Sequence, residues 1–158
     1  MFIENVRIEE CTTLKENIYL IKTYAPNISS NSYPGQFCNI KVSESSFPLL
    51  RRPFSICDIE DEYVYFMLQV YGEGTRILAD KSEGDYLDLL GPLGIGFNPE
   101  GNYDTAVFVG GGIGMAPFPF LNRIIGNKKK VKTFIGARTE KEIIDYGVIN
   151  NHFATDDG

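Results

Sequence analysis

The segment Leu50-Arg51-Arg52-Pro53-Phe54-Ser55-Ile56 places a permanent cation and a hydroxyl group close together on one extended stretch of chain. An arginine fork binds a phosphate bidentately, and a serine hydroxyl both donates and accepts hydrogen bonds. Strict alternation sends Arg52 and Ser55 to opposite faces of a strand, but a bend at Pro53 would turn both toward one ligand. The segment therefore fits a long ligand with an anionic middle and a polar heterocycle, or else an edge strand with solvated arginines.

The chain around this segment, up to about residue 90, has the pattern of an antiparallel β unit. Short runs rich in β-branched and aromatic residues alternate with turn residues. The predicted strands are residues 2–9, 18–23, 36–42, 52–58, 63–70 and 86–90. These strands predict a small antiparallel barrel, in which a short acidic link makes 52–58 and 63–70 neighbours. Backbone groups of Met67, Leu68 and Gln69 would then reach a ligand on the first of these two strands.

A second candidate anion site follows the fifth predicted strand. Gly72-Glu73-Gly74-Thr75 offers flexible backbone, and Thr75 is a suitable N-cap for a helix over residues 76–80. The amides of Gly74 and Thr75, the threonine hydroxyl and the helix dipole would hold a pyrophosphate together with Arg52. Taken alone, these residues favour an ordinary capped helix in a barrel connection.

The pattern changes after residues 91–101, which contain four glycines and two prolines and indicate a domain boundary. The predicted elements beyond them are a strand at 105–109, a helix at 116–125, a strand at 132–135 and a second helix from Thr139. We therefore predict a six-stranded barrel over residues 1–100 and an incomplete doubly wound α/β unit over residues 101–158. Met115 interrupts the Gly-x-Gly-x-x-Gly fingerprint, and residues 136–139 lack a ribose-reading acid, which disfavours a Rossmann dehydrogenase.

The order of these motifs resembles the ferredoxin-reductase superfamily. In that superfamily an Arg-x-aromatic-Ser strand binds FAD, and a Gly-Gly-x-Gly-x-Ala-Pro turn, matched here by residues 111–117, binds a nicotinamide dinucleotide. Residues 48–56, 72–76 and 89–94 look most like the electron-transfer subunits of NAD-dependent (class 1B) dihydroorotate dehydrogenases. The resemblance runs through essentially the whole chain.

The resemblance implies cofactors and a role for each matched residue. FAD would be bound, and NAD(P) would bind transiently. The residues implied to contact FAD are Arg52, Pro53, Phe54, Ser55, Met67, Leu68, Gln69, Gly74 and Thr75. The residues implied to admit the dinucleotide are Gly111, Gly112, Ile113 and Gly114. The family's subunit relays electrons between NAD(H) and an FMN-containing catalytic subunit of dihydroorotate dehydrogenase in pyrimidine biosynthesis, and no catalytic acid or base is implied here.

The resemblance also implies that the chain is truncated. Family members continue with further strands and a cysteine-rich tail that binds a [2Fe-2S] cluster. Cys11, Cys38 and Cys57 are 27 and 19 residues apart, which is the wrong spacing for cluster ligands. An incomplete α/β unit would expose apolar faces, so a homodimer or strand exchange is a hypothesis.

Composition limits the function classes. Fifteen Lys and Arg against twenty-one Asp and Glu give a net charge of −6, so nucleic acid is not an expected partner. The acidic N-terminus and the short apolar runs predict a cytoplasmic protein without a membrane segment. His152 is the single histidine, which leaves neither a histidine metal cluster nor a Ser-His-Asp triad.

Two other functions remain open. Ferredoxin:NADP oxidoreductase and the small subunit of sulfide dehydrogenase share these motifs. A barrel that binds a partner protein through its basic strand, without a cofactor, belongs to a different class. The sequence also leaves NAD and NADP undecided, because Arg138 suits a 2′-phosphate or a neighbouring acid equally.

Overall fold

The computed structural model describes residues 1–43 and 48–158, and its first half is a closed antiparallel barrel with strand order β1-β2-β5-β4-β3-β6. The strands are β1 (Phe2–Lys15), β2 (Ile18–Tyr24), β3 (Phe37–Lys41), β4 (Arg52–Glu60), β5 (Tyr63–Gln69) and β6 (Tyr86–Leu93). Helices α1 (Pro26–Ser30) and α2 (Glu73–Ala79) lie in the connections. The predicted six-stranded barrel is confirmed.

Strand β1 is longer than predicted because it pairs with two neighbouring strands. Its first half pairs with β6, and its second half, from Ile8 to Lys15, pairs with β2. A register shift between Ile8 and Glu10 lies near the start of the half that pairs with β2. The shift interrupts the apolar alternation, so the sequence pattern of the strand ends before the strand does.

The barrel is filled by the inward-facing residues of its strands. Ile8, Ile56, Val64 and Leu89 are completely buried, and Phe66 is 1% exposed. Burial of this apolar surface is the main contribution to the stability of the barrel. The core therefore fixes β4 and β5, the two strands on which the candidate ligand residues lie.

The second half of the chain is a three-stranded parallel sheet with the order β7-β8-β9. The strands are β7 (Thr105–Gly111), β8 (Lys130–Ala137) and β9 (Asn151–Thr155), and helix α3 (Phe118–Ile125) follows β7 after a 3₁₀ turn, Gly112–Met115. One face of the sheet packs on α3 and on the outer wall of the barrel. We call this sheet with α3 the α/β lobe.

Two expectations for the α/β lobe differ from the structure. The predicted second helix is wrong: Glu140–Glu142 is a single 3₁₀ turn. The backbone becomes extended at Ile143, and Ile143 and Ile144 are buried, so apolar burial directs the chain inward instead of continuing a helix. Strand β9 was not predicted, because Asn151–Thr155 carries no apolar run and owes its extended form to pairing with β8.

Candidate functional site

A gap opens between β4 and β5 at the predicted flavin strand. The β4–β5 ladder pairs Ile56 with Phe66 and runs away from Arg52–Ser55 toward Glu60. The upstream part of β4 pairs instead with β3, and the Gln69 end of β5 pairs with β2. The two predicted segments therefore flank a break in the sheet, where backbone groups are left for a ligand.

The two adjacent arginines have different surroundings. The guanidinium of Arg51 donates to the Asp88 carboxylate at 2.9 Å and to the Asp88 carbonyl at 2.9 Å. Within the described chain, Arg52 donates to neighbouring backbone, with 2.7 Å to the carbonyl oxygen of Leu50. Among the described residues no carboxylate pairs with Arg52. Arg51 therefore holds the barrel together, and Arg52 is the cation left for an anionic ligand.

Arg52 lies against the start of α2, as the sequence predicted for a shared anion site. A cavity of about 310 Å³ is lined by Pro48, Arg52, Tyr71, Gly72, Glu73, Gly74 and Thr75. A Cβ atom added at Gly74 would lie 3.4 Å from the Arg52 Nε atom, so glycine allows the arginine to pass close to the helix. The structure thus brings together a cation and a helix start that are 22 residues apart in sequence.

The predicted capping role of Thr75 is wrong. Helix α2 begins at Glu73 with Gly72 as its N-cap, which places Thr75 within the first turn. The Thr75 hydroxyl donates to the Gly72 carbonyl at 3.0 Å and accepts from the Tyr71 and Gly72 amides at 3.0 and 3.2 Å. The hydroxyl closes the turn that leads into the helix, because a glycine N-cap has no side chain to do so.

The other residues of β4 that were predicted to contact FAD point in several directions. The Phe54 side chain packs against the barrel core, and Pro53 is exposed opposite Asn39 of β3. Ser55 lies opposite Phe37, is half-buried, and its hydroxyl makes no hydrogen bond to the described residues. Ser55 does not line the cavity beside Arg52. The hydroxyl is consequently available to a ligand that enters the gap between the strands.

The Met67–Gln69 end of β5 presents its backbone to the gap, while its side chains make contacts elsewhere. Leu68 is buried in the barrel core, whereas Met67 is buried in the cluster between the barrel and the α/β lobe. Gln69 accepts a hydrogen bond of 2.6 Å from the hydroxyl of Tyr71. The side chains of Met67 and Leu68 are therefore committed to packing, and only their backbone faces the gap.

The glycine turn after β7 leaves its backbone open. Gly112 has φ of +51°, and a Cβ atom added at Gly112 or Gly114 would meet nothing within 4 Å. Gly111 would meet only the carbonyl oxygen of Gly136, at 3.6 Å. The side chain of Ile113 packs against the cluster between the lobes instead. The turn thus presents main chain without side chains, as a closely approaching ligand requires.

A larger cleft of about 770 Å³ lies between the barrel and the α/β lobe. Its walls combine the Lys15–Ile18 turn and the end of β5 with the carboxyl ends of β7, β8 and β9. Ligands of open α/β sheets bind at such strand ends. Its charged lining residues are Lys15, Arg138, Lys141, Glu16, Glu142 and Asp156, so cations and anions balance.

Tyr71 connects the two cavities and was not predicted as a site residue. Its side chain is 75% exposed and lines both the cavity beside Arg52 and the cleft beside Gly111 and Gly112. An exposed aromatic ring between two polar cavities can stack on a planar ligand group. The sequence signal was present in the aromatic residue that directly precedes the Gly72–Thr75 turn.

Comparison with curated proteins finds relatives that share one name. Over 148 residues, or 90% of this chain, the sequence is 36% identical to the dihydroorotate dehydrogenase B (NAD(+)) electron transfer subunit of Bacillus cereus strain Q1. The protein of that name from Bacillus anthracis strain CDC 684 is also 36% identical. The chain spans 57% of the length of both relatives. No protein-family model matches the chain.

Comparison with solved structures finds a ferredoxin-NADP oxidoreductase and other reductases. The structure of an NADH-dependent reduced ferredoxin-NADP oxidoreductase matches 96% of this chain and 56% of that one, with a TM-score of 0.81 and 26% identity. The chain has the ferredoxin-reductase fold. Phthalate dioxygenase reductase, with a TM-score of 0.79 and 17% identity over 99% of this chain and 52% of that one, shares the fold. The resemblance predicted from the motifs is confirmed.

Within this ferredoxin-reductase fold the three cysteines lie apart from one another. Cys38 and Cys57 are buried and Cys11 is exposed. Burial raises the pKa of the Cys38 thiol to about 12 and also raises that of Cys57. In the described parts of the chain no cluster of three or more metal-ligating side chains occurs, and no helix has the length and hydropathy to span a membrane. The Cys38 and Cys57 thiols are therefore packing groups, whereas Cys11 lies at the surface.

Proposed function

We propose that the chain is the FAD-binding part of an electron-transfer subunit that relays electrons between NAD(H) and an FMN-containing dihydroorotate dehydrogenase subunit in the cytoplasm. The observation that carries the proposal is Arg52, which pairs with no carboxylate of residues 1–43 or 48–158 and lies beside Gly72–Thr75, in a cavity that Tyr71 joins to the cleft at Gly111 and Gly112. The shared name of the 36% identical relatives supports the dihydroorotate partner.

Each group in the site would have a definite task. Arg52 would neutralise the FAD pyrophosphate, with the amides at the start of α2 as further donors. Ser55 would hydrogen-bond the edge of the isoalloxazine ring, and the backbone of Met67–Gln69 would line the other side of the gap. Gly111–Gly114 would admit the dinucleotide from the large cleft. When bound, FAD supplies the redox chemistry, and the protein supplies binding and orientation.

The test is an FAD titration of the purified chain, with Arg52→Ala compared against Arg51→Ala. A charge-assisted hydrogen bond contributes about 1.5–3 kcal/mol, so Arg52→Ala should weaken FAD binding by roughly 10- to 100-fold. Arg51→Ala should lower stability instead, because it leaves the Asp88 carboxylate without its partner. Absence of FAD binding by the folded wild-type chain would refute the proposal and favour a barrel without a cofactor.

The electron partner needs a separate experiment. The 26% identical ferredoxin-NADP oxidoreductase favours that activity as the alternative. The small subunit of a sulfide dehydrogenase, suggested by the sequence motifs, is a further alternative of the same kind. Reduction of bound FAD by dihydroorotate only in the presence of an FMN-containing partner would distinguish the main proposal. We propose a [2Fe-2S] cluster as the next carrier, with ligands other than Cys11, Cys38 and Cys57.

We also propose that the uncovered face of the α/β sheet supports self-association. Val109 and Val107 are 70% and 56% exposed on β7, and Phe134 is 42% exposed beside them on β8. Contiguous exposed apolar side chains favour association. Sedimentation velocity should show a dimer that Val109→Lys dissociates, whereas Tyr33→Lys, a matched change at an exposed barrel residue, should not. A monomer at all concentrations would contradict this proposal.

A further inference from the structure

One ion pair, between the buried Asp58 and the half-exposed Arg123, joins the barrel directly to helix α3. Arg123 of α3 donates from Nε to Asp58 Oδ1 at 2.8 Å and from a terminal nitrogen to Asp58 Oδ2 at 2.6 Å. The Asp58 side chain is 8% exposed and also accepts the amide of Ile59 at 2.8 Å. The hydrogen bonds to Asp58 raise the pKa of the Arg123 guanidinium further above its ordinary value. Both carboxylate oxygens are thus satisfied in a fixed geometry.

The two residues lie on the segments that carry the two halves of the candidate site. Asp58 follows Ser55 by three residues on β4, at a register shift that aims its side chain away from the regular ladder. Arg123 is on the helix that directly follows the Gly112–Met115 turn. The ion pair therefore connects the flavin strand to the dinucleotide turn through only a few residues on either side.

The other contacts between the lobes have a different character. Cys57, Met67 and Leu20 of the barrel pack against Leu121 and Ile125 of α3 in an apolar cluster. Apolar burial holds surfaces together without fixing their relative rotation, whereas a bidentate fork has one preferred geometry. The other ion pairs between described residues each lie within one lobe or join a lobe to the linker: Arg7–Glu9, Arg51–Asp88, Lys128–Glu100 and Arg138–Glu142.

We propose that Asp58 and Arg123 are positioning residues that set the angle between the barrel and the α/β lobe. The angle determines how far the glycine turn lies from Ser55, and hence how closely a nicotinamide ring approaches a flavin ring. The effect on electron transfer rests on the proposed function. The effect on the angle does not, because it follows from the ion pair alone.

The geometric test measures a distance in the chain itself. Spin labels are placed on exposed Cys11 of the barrel and on an Asn127→Cys substitution, an exposed site just after α3, while Cys38 and Cys57 stay buried. Pulsed electron paramagnetic resonance should give one narrow distance distribution for the wild-type pair and a broader one for Asp58→Asn. Glu9→Gln, which breaks the surface pair with Arg7, is the matched control and should leave the distribution unchanged.

Two further variants separate orientation from stability. Asp58→Leu with Arg123→Met replaces the buried pair by apolar groups and so avoids leaving an unpaired buried charge. This double variant should remain folded and still give the broad distribution. Arg123→Lys keeps the charge but lacks the fork, and it should broaden the distribution as well. A narrow distribution in the folded double variant, or a wild-type distribution in Arg123→Lys, would overturn the proposal.

A kinetic measurement links the angle to function. The rate of flavin reduction is measured at saturating NADH in the chain loaded with FAD. Asp58→Asn should lower this rate about tenfold or more, because reacting rings tolerate little displacement. The Kd for FAD should stay within about twofold of wild type, because Arg52 and its surroundings are unchanged. If the distribution broadens but wild-type chain binds no FAD, the proposed function fails and the positioning role stands. If reduction is unaffected although the distribution broadens, the positioning role in electron transfer fails.

Discussion

The barrel and the α/β lobe differ in how they satisfy their backbone hydrogen bonds and in how they bury their apolar faces. Every barrel strand has a hydrogen-bonded neighbour on both sides, and the barrel encloses a core to which the α/β lobe adds only Phe120 and, at its margin, Ile124. In the described part of the α/β lobe, β7 and β9 are edge strands. One face of this sheet is covered, whereas the other exposes Val107, Val109 and Phe134.

The difference shows which half of the candidate site is self-contained. Arg52, Ser55 and the start of α2 are held by the barrel's own core. The glycine turn is held by a cluster in which Phe108 and Leu121 of the α/β lobe pack with Ile18 and Leu20 of the barrel. The position of the Gly111–Gly114 turn therefore depends on the barrel, whereas β4 is held mainly by the barrel core, with a smaller contribution from Phe120 and Arg123 of the α/β lobe.

Dividing the chain between the lobes should have the largest effect. We expect residues 1–101 to fold alone, with reduced stability because the outer wall at Ile18, Leu20 and Met67 becomes exposed. Residues 102–158 should not fold, because a chain of this length with half a core buries too little apolar surface. Amide dispersion in heteronuclear NMR spectra of both pieces is the measurement. A dispersed spectrum for residues 102–158 would contradict the comparison.

A matched pair of valine substitutions should have a smaller effect. Val64 in the barrel core is completely buried, whereas Val109 on the open sheet face is 70% exposed. Val64→Ala should lower the free energy of unfolding by about 2 kcal/mol, from lost burial and a residual cavity. At concentrations low enough for the chain to be monomeric, Val109→Ala should change it by no more than about 0.5 kcal/mol. Urea titrations with unchanged slopes measure both values, and equal losses would show that the open face is covered in solution.

The same contrast explains how far the sequence alone could lead. Alternation predicted the barrel strands because one face of each packs on a core, as Val6 and Ile8 of β1 illustrate. It could not predict β9, whose residues are mostly exposed and whose form depends on β8. The preference for threonine as an N-cap also gave a wrong prediction, because Gly72 and not Thr75 is the N-cap of α2.

The site was predictable only where residues are close in sequence or carry a recognised motif. The Arg52 strand and the Gly111–Gly114 turn were predicted in this way, and each borders a cavity in the structure. The different surroundings of Arg51 and Arg52 depend on Asp88, which is remote in sequence, so adjacent identical residues gave no signal. Nor did any local pattern indicate that Asp58 would meet Arg123, 65 residues further along the chain.

The smallest predicted effect concerns Tyr146, an α/β-lobe residue beside the barrel, and appears only in alkali. Burial, followed by the nearby Cys57 and Asp58, raises the pKa of Tyr146 from 10.0 to about 12. Because the phenol ionises more readily in the unfolded chain, its contribution to stability is complete below pH 10 and is lost between about pH 10 and 12. Wild type should therefore lose stability relative to Tyr146→Phe across this range, while their difference stays constant below it. Urea titrations of both proteins at several pH values measure this difference in the free energy of unfolding. A constant difference up to pH 12 would show that Tyr146 is solvated. The α/β lobe would then pack more loosely on the barrel than its core residues indicate.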